Sequence, residues 1–360
     1  MVFVTASLFL AEWMGYYCCA HYNQYDEHEV FKHRLIMFPS IFNDYCHEVG
    51  IMFKVLVTEK LGDSAMELMG SVEGMEVVCR FGMERDVLED CIADFDALVV
   101  RTYTQVDKAL IDKATSLKLI VRKGVGLDNV DVKYAESKGI AVKNTPRANY
   151  ISVAEHVFAL LLSSMRRIVP ADAYTKTALG WDRDLFVGRE LHGKILGLVG
   201  IGLIGSHVAQ IARAFGMSVI AYDPYIDKDR MKELGADKRD NLNDLASEAD
   251  IISVHVPLFD STRGLVSKDM ISSMKPSALL VNTSRGPVVD NEALIKVLSE
   301  KSIAGACLDV YDTEPPTDKR LLSLDNVILT PHIGAKTEEA EERMDLESAG
   351  AVVSFFNEMK

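Results

Sequence analysis

Residues that can bind a ligand or move a proton come soon after several apolar segments of the kind that form buried strands. Ligands of open parallel sheets bind beyond the carboxyl ends of the strands, so these residues are expected to line one edge of a sheet. They are Gly200, Asp223, His255, Arg285, Asp309, Glu314 and His332. A glycine turn, a cation, acids and histidines on one edge together predict an active site.

Three of these residues have the types that oxidation of an alcohol requires. His332, in Thr-Pro-His-Ile-Gly, is the candidate base, because an imidazole with an ordinary pKa of about 6.5 exchanges protons near neutrality. Glu314 can fix the tautomer of His332 and favour the imidazolium that forms. The planar guanidinium of Arg285 can grip the carboxylate of a 2-hydroxy acid and polarise its C2 oxygen. Taken singly, each also fits an ordinary surface position, and His255 is a rival base.

A glycine-rich turn, Gly200-Ile-Gly-Leu-Ile-Gly205, follows an apolar strand and opens a helix, which is typical of dinucleotide-binding folds. Gly200 permits the tight turn, Gly202 lets the backbone approach a pyrophosphate, and Gly205 lets the helix lie close to the strand. The helix N-terminus then faces the phosphates. Asp223 follows the next strand, where its carboxylate can accept from ribose hydroxyls and repel a 2′-phosphate. The predicted cofactor is therefore NAD.

Composition and charge argue against several classes of protein. The net charge of −14 disfavours a nucleic-acid partner, and the absence of a long apolar run disfavours a membrane span. The six cysteines have no metal-binding spacing, and Cys18 and Cys19 are adjacent. We therefore expect no metal site, no disulfide framework and a reducing compartment, the cytoplasm. A length of 360 residues exceeds the roughly 250 to 300 at which single cores stop growing, which predicts two domains.

The first part of the chain is predicted to contain an extension and then a parallel sheet. Residues 1–51 show no sustained helical or strand period, so we expect a disordered or non-native extension; an ordered arm stays open as the alternative. Strands at residues 53–58, 97–100 and 117–121 alternate with helical segments. The last two of these strands deliver Arg101 and Arg122 to the edge of the sheet, and the same pattern continues to about residue 149.

A helix that begins near residue 152 is predicted to connect this sheet to a second one. Ser152 and Glu155 have the spacing of a capping box, and the apolar residues that follow share one helical face. The second sheet is expected to contain strands near residues 194–200, 218–222, 250–255, 278–282, 303–308 and 326–330.

Four motifs resemble those of the D-isomer-specific 2-hydroxyacid dehydrogenases. They are Gly200-Ile-Gly-Leu-Ile-Gly205, Asn282-Thr-Ser-Arg-Gly-Pro-Val-Val-Asp290, Gly305-Ala-Cys-Leu-Asp-Val310 and Thr330-Pro-His-Ile-Gly-Ala335. The resemblance covers residues 52–360, and the spacing of Arg285, Glu314 and His332 matches the catalytic triad of that family.

The resemblance implies an α/β protein with two Rossmann-like domains, one flavodoxin-like and one dinucleotide-binding, with parallel sheets and an interdomain cleft. Residues 52–150 plus 336–360 would form the substrate-binding domain and residues 151–335 the NAD-binding domain. A homodimer is also implied. Further cofactor contacts are implied at Leu203, Ile204, Asp223, Val256, Thr283, Ser284, Arg285, Asp309, His332, Ile333, Gly334 and Ala335. His255 then fits the cofactor wall better than the role of base.

Within the family, Val100-Arg101-Thr102 and the stretch at residues 121–129 resemble the members that oxidise D-3-phosphoglycerate to 3-phosphohydroxypyruvate in serine biosynthesis. A distal phosphate needs cations, whereas lactate or glycerate would leave Arg101 and Arg122 unpaired. The alternative, that one or both arginines only brace the domain interface, stays open. The backbone around Lys123, Gly124 and Val125 is the predicted site for the substrate carboxylate.

Two other functions stay open on the sequence alone. The nearer one is a dehydrogenase of the same family that acts on glyoxylate or hydroxypyruvate and differs only in the distal pocket. The other is a non-enzymatic, corepressor-like scaffold that keeps the triad and uses NAD binding to control dimerisation. Because the sequence ends soon after the predicted closing helix, we also expect no C-terminal regulatory domain of the kind found in longer members.

Overall fold

The computed structural model describes residues 53–177 and 180–359. The predicted extension, residues 1–51, lies outside the described residues, as do Cys18, Cys19 and Cys46. The described residues form two sheets, of five and seven strands, and every strand pairing within them is parallel. The predicted α/β class with two parallel sheets is therefore confirmed. Over these same ranges, none of the helices is both long enough and apolar enough to cross a membrane.

The first sheet has the strand order of flavodoxin-like folds, β2-β1-β3-β4-β5. Its strands are β1 (Phe53–Val57), β2 (Met75–Cys79), β3 (Ala97–Val100), β4 (Leu119–Arg122) and β5 (Ala141–Asn144). Its helices are α1 (Asp63–Gly70), α2 (Arg85–Cys91), α3 (Lys108–Lys113) and α4 (Val132–Ser137). All four residues of β3 are buried, because helices cover both faces of a parallel sheet.

Helices α5 (Tyr150–Met165) and α6 (Ile168–Thr177) follow the first sheet. The predicted apolar face of α5 is buried in one core with residues of the second sheet. The predicted capping box is wrong, because the helix begins at Tyr150 and Ser152 lies within its first turn. Instead, the buried Ser152 hydroxyl donates a hydrogen bond to the carbonyl of Gly334 at 2.6 Å. This contact ties α5 to the loop that carries His332.

The second sheet has the order β12-β11-β10-β9-β6-β7-β8, the Rossmann arrangement with one further strand. Its strands are β6 (Ile195–Val199), β7 (Ser218–Tyr222), β8 (Asp237–Lys238), β9 (Ile251–Val254), β10 (Leu279–Asn282), β11 (Gly305–Leu308) and β12 (Val327–Leu329). Its helices are α7 (Leu203–Ala214), α8 (Lys228–Glu233), α9 (Leu242–Glu248), α10 (Lys268–Ser272), α11 (Asn291–Ser299) and α12 (Lys319–Leu322). The strand order reverses between β6 and β9, which places the glycine-rich loop after β6 at the switch point where such folds bind ligands.

The last helix, α13 (Glu338–Met359), packs back onto the first sheet. Its buried Ala349, Val352 and Phe356 share a core with β1, and the rings of Phe53 and Phe356 lie 5.2 Å apart. This packing supports the division of the chain into residues 52–150 plus 336–360 and residues 151–335, which stays a proposal.

Candidate active site

Three neighbouring strands bring the predicted triad to one edge of the second sheet. β10, β11 and β12 pair in parallel, so their carboxyl ends lie side by side. Arg285 follows β10, Glu314 lies in the loop after β11, and His332 follows β12. The loop after β10 can contact the loop after β11 because residue 286 is a glycine. A Cβ at Gly286 would lie 2.0 Å from the carbonyl carbon of Tyr311.

His332 and Glu314 form a hydrogen-bonded pair at this edge. Nδ1 of His332 lies 2.8 Å from Oε2 of Glu314, and the other carboxylate oxygen accepts a hydrogen bond from the backbone N–H of Tyr311 at 3.3 Å. Both side chains are about two-fifths exposed, at 41% and 39%. Because Nδ1 is engaged, Nε2 is the imidazole atom left to exchange a proton with a substrate.

The buried carboxylate of Asp309 holds the loop that carries His332. Its Oδ1 accepts hydrogen bonds from the Thr330 hydroxyl at 2.6 Å and the Ile333 N–H at 2.9 Å, and its Oδ2 accepts from the Gly334 N–H at 2.8 Å. Both oxygens therefore have protein donors. These bonds make Asp309 a positioning residue for the loop, while its predicted cofactor contact stays a prediction.

The pKa of Asp309 reflects the same bonds. Burial alone would raise this pKa, but hydrogen bonds from His156, Thr330 and two loop amides outweigh burial and lower it below the ordinary value. The carboxylate is therefore ionised at neutral pH and keeps the amides of the loop bound.

Arg285 reaches from the second sheet to the loop after β4. Its Nε donates a hydrogen bond to Oδ2 of Asp128 at 2.7 Å, and its Nη1 donates to the carbonyl of Ser284 at 2.7 Å. Gly126 leaves room for this contact, because a Cβ there would lie 1.7 Å from Nη2 of Arg285. The sequence did not single out Asp128, which nevertheless orients the guanidinium across the edges of the two sheets.

Asn282 organises the loop between β10 and Arg285. Its side-chain carbonyl accepts hydrogen bonds from both the N–H and the hydroxyl of Ser284, at 3.0 and 2.9 Å, and its amide donates to the carbonyl of Arg285 at 2.9 Å. Asn282 lies at the end of β10 and fixes the backbone of the loop that carries Arg285. The sequence does not single it out as a site residue, because an amide side chain with a purely structural role leaves no chemical pattern.

The glycine-rich loop has the geometry that the sequence predicts. Gly200 has a φ of +91°, and a Cβ on Gly205 would lie 2.5 Å from the carbonyl oxygen of Gly200, so the helix can approach only without that atom. Asp223 accepts hydrogen bonds from the N–H of Ile201 at 3.1 Å and that of Tyr225 at 3.0 Å. Asp223 is thus fixed beside the glycine turn.

The residues around this loop fit a dinucleotide. A Cβ on Gly202 would meet nothing within 4 Å, so one side of the loop is open. The loop ends at the start of the 12-residue helix α7, whose first amides have no acceptor within the helix. The hydroxyl of Thr283 is buried and has no hydrogen-bond partner among the described residues. Free amides and an orphaned hydroxyl are the donors that a bound NAD requires.

His255 lies on the wall of the same region, where Val256 packs beside the position of a Cβ on Gly200. Burial lowers the pKa of His255 to about 3, and its Nε2 lies 2.9 Å from the hydroxyl of Ser253. An imidazole with so low a pKa is a weak base near neutrality. The burial of His255 therefore favours His332 as the base.

The two predicted distal arginines have different surroundings. Arg101 donates from Nη1 and Nη2 to the two carboxylate oxygens of Glu341 in α13, at 2.7 and 2.5 Å. Arg122 donates from Nη1 to the carbonyl of Lys123 at 3.0 Å, and its Nε is buried without a hydrogen-bond partner among the described residues. Arg122 therefore has no carboxylate partner among the described residues, whereas Glu341 occupies the Nη1–Nη2 edge of Arg101.

Burial and the charges of two other arginines both act on Arg122. Burial, followed by the charges of Arg285 and Arg101, lowers the pKa of Arg122 to about 10, although Asp128 acts in the opposite direction. Arg285 and Arg101 are thus both within electrostatic reach of Arg122, although Asp128 pairs with the first and Glu341 with the second. An anion bound among them would relieve their mutual repulsion.

The predicted carboxylate site at residues 123–125 is only partly available. The N–H of Lys123 donates to the carbonyl of Val100 at 2.8 Å, and the N–H of Gly124 donates to the Thr145 hydroxyl at 2.7 Å. No acceptor is present for the N–H of Val125 in the described ranges. Of the three predicted amides, that of Val125 is thus the one that is free to bind a substrate oxygen.

Comparison with known proteins identifies the family. Residues 158–334 match the D-isomer specific 2-hydroxyacid dehydrogenase, NAD binding domain. The chain is 43% identical over 298 residues to the hydroxypyruvate reductase of Thermotoga maritima, which covers 82% of this chain and 95% of that protein. The chain therefore belongs to the D-isomer specific 2-hydroxyacid dehydrogenases and contains the NAD-binding domain of that family.

Two further relatives indicate the range of substrates within the family. The chain is 45% identical over 303 residues to the D-3-phosphoglycerate dehydrogenase of Methanocaldococcus jannaschii, covering 84% of this chain and 56% of that protein. The chain thus spans little more than half the length of that relative. The crystal structure of D-lactate dehydrogenase from Aquifex aeolicus, complexed with NAD and lactic acid, is similar with a TM-score of 0.73 and 31% identity, covering 85% of this chain and 96% of that one.

Proposed function

We propose that this chain catalyses the NAD-dependent oxidation of D-3-phosphoglycerate to 3-phosphohydroxypyruvate, a step of serine biosynthesis. The observation that carries the proposal is the His332–Glu314 pair at the same sheet edge as Arg285, with a second arginine, Arg122, that has no carboxylate partner among the described residues. The matched phosphoglycerate dehydrogenase of Methanocaldococcus jannaschii supports the choice of substrate.

The side chains divide the reaction among them. Arg285 binds the carboxylate and C2 oxygen of the substrate, and Asp128 orients its guanidinium. Nε2 of His332 accepts the hydroxyl proton, and Glu314 stabilises the imidazolium that forms. NAD bound at the glycine-rich loop supplies the acceptor for the hydride from C2.

The predicted cofactor contacts become part of this proposal. The loop of β6 and α7 contributes Gly200, Gly202, Leu203, Ile204 and Gly205; other contacts come from Asp223, Val256, Thr283, Ser284, Ile333, Gly334 and Ala335. Asp223 selects NAD over NADP, because its fixed carboxylate would face a 2′-phosphate.

One observation favours a second candidate substrate, hydroxypyruvate or glyoxylate. Arg101 is neutralised by Glu341, which leaves fewer cations for a distal phosphate than the sequence implies. The hydroxypyruvate reductase of Thermotoga maritima is aligned over nearly its whole length.

A homodimer is also part of the proposal. Helix α6 has no buried residue, and it and the segment after it expose several large apolar side chains. They are Ile168, Val169, Trp181, Leu185 and Val187. A surface of this kind fits a second copy of the chain, and sedimentation of the purified protein tests it.

A substrate panel with the purified chain tests the activity. NAD reduction is measured with D-3-phosphoglycerate, D-glycerate and D-lactate, and NADH oxidation with hydroxypyruvate and glyoxylate. We expect the highest kcat/KM among the hydroxy acids for D-3-phosphoglycerate. A higher kcat/KM for the unphosphorylated substrates would contradict the proposed substrate and leave the family assignment intact.

A further inference from the structure

Five charged side chains meet where α13 crosses the carboxyl ends of β3 and β4. This distal charge cluster consists of Arg101, Lys123, Lys336, Glu341 and Asp345. Glu341 is its centre, since each of its carboxylate oxygens contacts two cations. Oε1 contacts Nη2 of Arg101 and, at 3.1 Å, Nζ of Lys336; Oε2 contacts Nη1 of Arg101 and, at 3.0 Å, Nζ of Lys123.

The contact between Glu341 and Arg101 uses the donors that a substrate anion would use. A guanidinium fork binds a carboxylate or a phosphate through two parallel N–H···O bonds, and Glu341 already makes both. The pair is only partly exposed, at 18% for Arg101 and 27% for Glu341. A distal phosphate must therefore displace Glu341 to bind Arg101 in this way.

We propose that Glu341 determines the preference for the distal group of the substrate by occupying the Arg101 fork as an internal anion. This inference rests on the proposed function in taking the cleft between Arg285 and Arg101 as the substrate site. Arg122 then provides the free cation for the distal group, and Arg101 contributes only when Glu341 moves aside. Glu341 acts through Arg101 and is thus a positioning residue, not a catalytic one.

The internal anion is present throughout the physiological range. Burial would raise the pKa of Glu341, but pairing with Arg101, Lys123 and Lys336 outweighs burial and lowers the pKa to about 2. Competition between Glu341 and a substrate phosphate therefore does not depend on a change of pH near neutrality.

The test compares Glu341→Gln with the wild type, using D-3-phosphoglycerate and D-glycerate as paired substrates. Without the carboxylate charge, Arg101 is released to bind the phosphate, so KM for D-3-phosphoglycerate should fall about tenfold, as for one charge-assisted contact. The kcat and the KM for D-glycerate should change by less than about twofold, since D-glycerate lacks the distal charge.

Glu342→Gln is the matched control, because it removes the same charge from the next, exposed position of α13. It should leave the ratio of the two KM values at the wild-type level. A second comparison, Glu341→Gln in an Arg101→Met background, should show no gain for D-3-phosphoglycerate, since the effect requires Arg101.

Three results would overturn the inference: a higher KM for D-3-phosphoglycerate in Glu341→Gln, an equal change for both substrates, or a gain that persists without Arg101. If Glu341→Gln does not fold, Glu341→Asp keeps the negative charge but shortens the side chain, which breaks the bidentate contact with Arg101. A folded Glu341→Asp enzyme with an unchanged ratio of KM values would also overturn it.

The design separates this inference from the proposed substrate. In one outcome the wild type prefers D-glycerate and the Glu341→Gln variant gains activity on D-3-phosphoglycerate. This result refutes the proposed substrate and supports the role of Glu341. In the other outcome the wild type prefers D-3-phosphoglycerate and the variant shows no lower KM for it. This result supports the proposed substrate and refutes the role of Glu341.

Discussion

At the catalytic end of the proposed substrate site, partners orient each reactive group and leave one atom free. Glu314 binds Nδ1 of His332 and leaves Nε2 for the substrate. At the distal end, Glu341 binds both Nη atoms of Arg101, while Arg122 keeps an unpaired Nε. The same residue types thus prepare a group for chemistry in one region and neutralise a group in the other.

The two glutamate contacts differ in whether the paired side chain keeps a donor or an acceptor atom that a ligand can use. A one-atom contact to an imidazole leaves the second nitrogen available, whereas a bidentate contact through Nη1 and Nη2 occupies one edge of a guanidinium, the edge that would otherwise bind the distal anion. Charge alone therefore does not identify a substrate-binding arginine; the partners that its donors already have must be known as well.

The largest expected effect is the loss of kcat when the catalytic base is removed. His332→Ala should lower kcat by roughly 10² to 10⁴ for every substrate while NADH still binds, because the base acts in the transition state. Steady-state kinetics and NADH fluorescence titration measure the two effects. His255→Ala is the comparison; if it abolished turnover while His332→Ala did not, the assignment of the base would be wrong.

The cofactor preference gives the next largest effect. A phosphate about 4 Å from Asp223, at an effective dielectric near 20, costs about 4 kcal/mol before screening, or up to roughly three decades of kcat/KM. The wild type should therefore prefer NAD to NADP, and Asp223→Ser should narrow the gap. Comparable kcat/KM with both cofactors in the wild type would contradict the role of Asp223.

Asp309→Asn probes how firmly the catalytic loop is held. Hydrogen bonds to a charged group contribute about 1.5 to 3 kcal/mol each, so loss of the charge should lower the free energy of unfolding by at least about 1.5 kcal/mol and also lower kcat. Melting temperature and kcat are the measurements. An unchanged melting temperature with unchanged kcat would show that the loop does not depend on this carboxylate.

The pH dependence of this effect follows from the lowered pKa of Asp309. A carboxylate with a depressed pKa in the folded state stabilises above its unfolded pKa of about 3.9 and loses that contribution as pH falls through the folded value. The wild type and Asp309→Asn should therefore differ in melting temperature at neutral pH and converge in acid.

The smallest expected effect concerns the contact between the two sheets. Asp128→Asn should raise KM about tenfold, equally for D-3-phosphoglycerate and D-glycerate, because Arg285 serves the carboxylate and C2 oxygen that both substrates share. Steady-state kinetics with both substrates measure this. A loss confined to the phosphorylated substrate would place Arg285 at the distal end instead.

The contrast between the two ends also explains what the sequence could predict. Arg285, Glu314 and His332 each follow a strand of one parallel sheet, so their convergence follows from the rule for strand ends. The glycine turn was likewise readable, because Gly200 and Gly205 are required by local geometry. The strand β8 could not be predicted, because its two residues are too few to show an alternation of apolar and polar side chains.

The distal partners could not be predicted by such local rules. Glu341 lies 240 residues from Arg101 in the chain and meets it only because α13 returns to the first sheet. The spacing of Ser152 to Glu155 predicts a cap, but tertiary packing brings the Ser152 hydroxyl to the carbonyl of Gly334 instead. No local pattern singles out Asp128, because its partner, Arg285, comes from the other sheet.

Recognition of the distal phosphate by Arg122 sets the proposed substrate, and Arg122→Met tests this role. The measurement is the ratio of KM values for D-3-phosphoglycerate and D-glycerate in wild type and variant. We predict a rise in KM of roughly tenfold to a hundredfold for D-3-phosphoglycerate, with little change for D-glycerate and a smaller effect for Arg101→Met. An equal rise for both substrates would contradict the claim and assign Arg122 to the carboxylate or to the fold.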